Sequence, residues 1–296
     1  METPVVEFED IDGLRQTLSS YKPGSTRNLV GHGFSRVCLQ LFGLGGDGKS
    51  SLINSCLCVV HNLPFSNEAG AGTSSDSFTT ARNEYKLTDT VYITDNRGLN
   101  RQTKDERLEL SAQLRNLRSP SNVDWNFELE RTVNQLEERY NYSTDFIVPV
   151  WVYSFERPLS KDAANEFSLL LRDAFEITGI FPVVVLTKSK GKYTAGVLKE
   201  MENLGCQHMQ VLNNYTTANS ARSLETDSEV LRFLHMCLQE ADRGIQKKKN
   251  LTTQWEFLKK AADQIKAEMK RQKELQREEL QAAIKQKELS RLMLKK

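Results

Sequence analysis

The chain reads as an α/β protein built on a doubly wound, mostly parallel sheet, and three observations point there. Apolar runs of strand length alternate with amphipathic segments of helix length from Arg36 to Ala241. The first of those runs, Val37–Phe42, passes through a glycine-rich loop straight into a helical pattern. The run Pro182–Leu186 is almost purely β-branched, as expected for a central strand covered on both faces.

Residues 1–34 carry Pro4, Pro23 and several glycines around a short helical pattern at Asp10–Leu18, and read as a leader packed on the α/β domain. After the strand Val37–Phe42 and its loop, a helix is expected over Lys49–His61. The polar, small-residue stretch Ser66–Thr80 then crosses to strands at Arg82–Leu87 and Val91–Thr94. Residues 101–140 read as helices broken at Ser119-Pro120. Strands are expected at Phe146–Tyr153, Pro182–Leu186 and Met209–Asn213. Helices are expected at Ala163–Phe175, Thr194–Leu204 and Glu225–Ala241. Three units result: the leader 1–34, an α/β domain 35–243 and a tail 244–296.

Bulk properties narrow the class. No apolar run approaches the ~20 residues that span a bilayer, and Met1 to Asp12 is acidic rather than basic-then-apolar, unlike a signal peptide. A cytoplasmic location is the expectation. The five cysteines, Cys38, Cys56, Cys58, Cys206 and Cys237, sit in apolar periodic segments and read as reduced, buried thiols. A net charge of +1 hides an asymmetry, because 16 Lys/Arg face 7 Asp/Glu from Arg243 onward while residues 1–242 hold 24 against 32. The body is acidic and the tail basic. In the tail, Leu251, Trp255, Leu258, Ala262, Ile265 and Met269 recur at spacings of four and three, the signature of a coiled-coil or packing seam. A homodimer through the α/β domain or residues 251–269 is expected, with an acidic surface as partner for the basic second half of the tail.

The chemistry lies in Gly43-Leu44-Gly45-Gly46-Asp47-Gly48-Lys49-Ser50, a full match to G-x-x-x-x-G-K-[ST] between a strand and a helix. This is the phosphate-binding loop (P-loop) of nucleoside triphosphatases. Glycines let backbone N–H groups converge on phosphates, and the next helix adds its positive N-terminal dipole, with Ser51 in its first turn. Lys49 is placed at the β- and γ-phosphates and the Ser50 hydroxyl on Mg²⁺. The lysine is expected to be exposed in the empty loop and to pack against nothing. A second element, Asp95-Asn96-Arg97-Gly98, ends a strand 46 residues after Lys49. Asp95 would hold the metal through water and the Gly98 amide would sense the γ-phosphate. In the flexible stretch between them, Thr80, preferred over Thr73, is the threonine expected to reach the metal.

The base-reading elements are less complete. Thr187-Lys188-Ser189-Lys190 stands where [NT]-K-x-D reads guanine. Lys190 replaces the aspartate and offers no acceptor, which weakens guanine preference. The strand-ending Asn213-Asn214-Tyr215 would close over the base, with Asn214 bonding the ring and Tyr215 stacking.

In this order, the P-loop, D-x-x-G, T-K-x-x and strand-ending Asn-Tyr elements resemble the G domain of the interferon-induced protein 44 family, and more distantly the GTPases of immunity-associated proteins. Ser20-Tyr21-Lys22-Pro23 and the segment from Asn214 through Leu231–Ala241 add to the likeness, which spans roughly residues 15–243 and is thin at 100–145. The resemblance implies a G-domain fold, guanine nucleotide binding (GTP as ligand, ATP left open) and an innate-immune setting. Leu99 occupies the position that often holds a water-orienting glutamine, so slow hydrolysis is expected. The chain therefore reads as a slow GTPase or GTP-binding switch. The alternative is a nucleotide-binding scaffold with negligible hydrolysis that recruits partners through its C-terminal helix.

Overall fold

The computed structural model describes residues 11–70, 82–96, 104–115, 144–191 and 193–248, with single helical positions at 264, 267, 270, 271, 274 and 277. Among the described residues, six strands form one sheet in the order β2-β3-β1-β4-β5-β6. They are β1 (Arg36–Phe42), β2 (Asn83–Lys86), β3 (Val91–Asp95), β4 (Asp145–Ser154), β5 (Val183–Thr187) and β6 (Met209–Leu212). Every neighbouring pair is parallel except β2 with β3, which forms an antiparallel edge. The four central strands β3, β1, β4 and β5 are nearly continuous runs of buried residues because helices cover both of their faces.

On one face, Val37, Leu39 and Leu41 of β1 pack with α1 (Ile11–Ser20), α2 (Lys49–Val60) and the long closing helix α6 (Leu224–Lys247). On the other, Cys38 and Phe42 join Trp151 and Leu186 under α3 (Lys104–Leu114), α4 (Lys161–Thr178) and α5 (Thr194–Asn203). The period of two along β1 thus divides the molecule into two cores. Ser160 and Ser223 cap α4 and α6 by accepting from Ala163 N and Thr226 N. Helix α2 starts from Gly48 with no side-chain cap, which leaves its first amides available to a ligand.

One tie between the leader and α6 is a buried carboxylate. Asp242 accepts from the Tyr21 hydroxyl at 2.6 Å, Gly24 N at 2.6 Å, Thr26 N at 2.7 Å and the Thr26 hydroxyl at 2.6 Å. Burial, reinforced by that carboxylate, pushes the Tyr21 phenol well above its ordinary range. Helix α6 also runs past the expected domain boundary at residue 243. Ile245 is in the core, and a Cβ on Gly244 would come within 2.2 Å of the Phe146 ring. The first residues assigned to the tail therefore belong to the α/β body.

The interrupted helices expected over 101–140 fall within the described residues only as α3. The seam at 251–269 is described at positions 264 and 267 alone, both helical and exposed, and both lie between seam positions. All five cysteines are free; four are buried and Cys206 is half-buried. No helix among the described residues is long and apolar enough to cross a membrane.

Candidate functional site

The site residues collect along the carboxyl-terminal edge of the sheet, where doubly wound folds bind ligands. The loop Gly43–Gly48 leaves β1 there. Asp95 ends β3, the Phe155–Arg157 segment comes after β4, Thr187 ends β5 and Asn213 comes after β6.

Glycine is required at two turns of this loop. Gly43 has φ 144°, and a Cβ there would sit 2.3 Å from the Val152 carbonyl oxygen of β4. Gly48 has φ 94°, with the Asn214 amide 3.2 Å from where its Cβ would be. Gly46 is also left-handed, at φ 78°. Gly45 lies between these turns and its carbonyl faces Arg157.

Lys49 departs from expectation. Its residue is only 6% exposed, and its Nζ donates to Gly43 O at 3.1 Å and Leu44 O at 2.9 Å. The amine thus lies folded inside its own loop rather than free in solvent. Burial lowers its pKa from 10.5 to about 8, partly opposed by the nearby Asp95 carboxylate.

Ser50 and Asp95 meet as a pair, with the serine hydroxyl donating to Asp95 Oδ2 at 2.9 Å. Asn96 then fixes the end of β3 by donating to Leu41 O at 3.0 Å. Ser51 is half-buried in the first turn of α2, and its carbonyl accepts from Ser55 Oγ. Thr80, Gly98 and Leu99 lie outside the described residues.

The T-K-x-x and Asn-Asn-Tyr segments are tied to the loop. Thr187 donates its hydroxyl to Asp47 O at 2.7 Å, and Asn214 Nδ2 donates to Gly48 O at 3.1 Å. Lys188 adopts φ 57° and reaches Glu156, and Asn213 accepts from the Ser189 hydroxyl at 2.7 Å. Together Glu156, Lys188, Lys190, Gly191 and Asn213 line an open cleft of ≈ 480 Å³ beside the loop. Gly191 allows this close approach, because a Cβ there would strike the Phe155 backbone at 2.4 Å.

Tyr215 is not available to stack on a base. It is 1% exposed, lies in the core below α6, and donates its hydroxyl to Asp227 at 2.8 Å. A tyrosine after a strand end turns inward when a buried carboxylate offers its hydroxyl a partner. Asp227 is that hub, accepting also from Arg15 and Arg222.

Two residues of the site carry no sequence signal. Glu156 brings a carboxylate to the cleft that Lys190 leaves without one. Arg157 reaches across from the end of β4 to Asp47, a loop residue that is 1% exposed, and its other amino group is 3.5 Å from Gly45 O. Only the parallel pairing of β1 with β4 brings them to the loop, and no local motif encodes that. Asp47 itself, expected among the nucleotide contacts, has its carboxylate turned into the loop, where it accepts from Leu44 N at 2.9 Å.

These residues fit a magnesium–triphosphate group on three counts. An uncapped helix start, a buried ammonium and a Ser–Asp oxygen pair meet at one loop. No cluster of three or more His, Cys, Asp or Glu that could hold a metal by itself occurs among the described residues. Mg²⁺ rarely uses such an all-protein cage when phosphates complete its shell. No protein-family model matches the chain, and no curated protein sequence matches it.

Proposed function

We propose that this chain is a P-loop protein that binds a nucleoside triphosphate with Mg²⁺ and acts as a slow GTPase or GTP-dependent switch. The observation that carries the reading is Lys49. A protein that holds an ammonium nearly dry against two loop carbonyls, where burial lowers its pKa, keeps a cation ready for an anionic ligand. The glycine loop and the free amides of α2 would bind the phosphates. Ser50 and Asp95 would hold Mg²⁺, which when bound neutralises phosphate charge.

The base would occupy the cleft beside Lys188, with Asn213 and Glu156 at its walls. Because Glu156 is already engaged by Lys188 and Lys190 offers only donors, the expected preference for guanine over adenine is modest. Kinship with the interferon-induced protein 44 family, a cytoplasmic location and an innate-immune role belong to the same proposal. Leu99 favours a second reading in which turnover is negligible and the bound nucleotide only sets a surface for partners. Calorimetric titration with Mg²⁺ and GTP or ATP tests the central reading, and saturable binding of neither would refute it. Release of labelled phosphate at several protein concentrations then separates the switch from the scaffold.

A further inference from the structure

The loop contains a charge that works against its proposed ligand. Asp47 lies between the glycines, buried, in a segment whose amides would face phosphates. A buried carboxylate there repels every phosphate oxygen unless something neutralises it, since low-dielectric surroundings screen little. Lys49 does not fill that place, because its Nζ donates to the Gly43 and Leu44 carbonyls. Among the described residues the ion pair of Asp47 is with Arg157.

Arg157 is well placed for this work and costly to place. Burial lowers its pKa, and its Nε is buried without a hydrogen-bond partner. Its backbone N–H turns back to Ser154 O at 3.2 Å, and its guanidinium lies 5.7 Å from the Tyr153 ring centre. One amino group takes the carboxylate and the other approaches Gly45 O. Asp47 in turn organises the loop, through the Leu44 amide and through the Thr187 hydroxyl on its own carbonyl.

We propose that Arg157 is a positioning residue of the triphosphate site: it cancels the Asp47 carboxylate, so that the loop keeps the brace this side chain provides without its repulsion of phosphate. This role rests on the proposed nucleotide binding. Its signature is specific to charge. Removing the arginine exposes the ligand to an uncompensated anion, and the penalty grows with the number of phosphate charges. Removing the carboxylate as well abolishes the penalty.

The test measures affinities of the full-length chain for GTP and GDP with Mg²⁺ by calorimetry. The proteins are wild type, Arg157→Gln, Asp47→Asn and the double variant, with thermal melts to establish folding. Arg157→Gln should lower GTP affinity at least tenfold and GDP affinity less. Asp47→Asn alone should hold or exceed wild-type affinity, and added to Arg157→Gln it should restore GTP binding to within about threefold of wild type. A double variant as weak as Arg157→Gln, or equal losses for GTP and GDP, would overturn the proposal. Should Arg157→Gln fail to fold, affinity in Asp47→Asn at least tenfold below wild type overturns it, while retained affinity there and in the folded double variant upholds it. Wild type that binds no nucleotide rejects the nucleotide reading and this role together, whereas wild-type binding without rescue rejects the role alone.

Discussion

Replacing Lys49 by methionine separates the cost of the site from its use. The fall of the Lys49 pKa from 10.5 to about 8 corresponds to ~3 kcal/mol held against the ammonium at neutral pH. Methionine removes that cost but also forfeits the donors to Gly43 O and Leu44 O, worth ~1–2 kcal/mol each. The two effects nearly cancel, so Lys49→Met should unfold in urea within about 1 kcal/mol of wild type when no nucleotide is present. With GTP and Mg²⁺ at a hundred times the dissociation constant, wild type should gain ~2.7 kcal/mol and the variant nothing.

The pH dependence has a definite sign. The folded pKa of this lysine is depressed, so its charging cost is fully present below about pH 8 and fades as pH rises toward 10.5. Nucleotide-free wild type should therefore gain stability relative to Lys49→Met across that window. A variant destabilised by more than about 3 kcal/mol would refute the reasoning, as would one that keeps its nucleotide-dependent stabilisation.

Other perturbations probe other parts. Asp242→Ala strands the Tyr21 hydroxyl and the Gly24 and Thr26 amides, and should cost about 4 kcal/mol, lowering the melting temperature by ~10 °C and opening residues 11–26 to protease. An unchanged melt would mean the Asp242 hydrogen bonds add nothing to the fold. Lys190→Asp returns a carboxylate to the cleft and should raise GTP preference over ATP by roughly tenfold or more, by analogy with bidentate base contacts of ~1–3 kcal/mol. Equal gains for both nucleotides would place the base elsewhere. Truncation after Lys248 should leave nucleotide affinity unchanged and shift sedimentation from dimer to monomer, because the seam from Leu251 to Met269 is removed; a fall in mass by no more than the residues cut away would sink the interface.

The sheet was legible in the sequence because its strands are buried on both faces. Val183–Thr187 and Asp145–Ser154 have little but apolar and β-branched residues to offer, and their expected bounds lie within a residue of those observed. The period of the closing helix is legible as far as Ala241, but the helix continues through Gly244, where the tail was expected to begin. The missing side chain of that glycine is space for Phe146 and Ile180. At the site, the loop was visible because its glycines and lysine are contiguous. Long-range partners left no local trace. The inward turn of Tyr215 depends on Asp227, twelve residues on, and the burial of Lys49 on the fold of the loop's own carbonyls.

Helix α6 fixes how the molecule can be connected to others. Its N-cap, Ser223, lies beside the Tyr215 hydroxyl below the loop edge, and its 24 residues cover ~36 Å before ending near Phe146 and Ile180 at the starts of β4 and β5. The chain beyond Lys248 is thus rooted at the pole opposite the proposed nucleotide. Partners gripping the two ends would not compete for space, and one copy could be tethered from below while its upper edge exchanges ligand or meets a second copy.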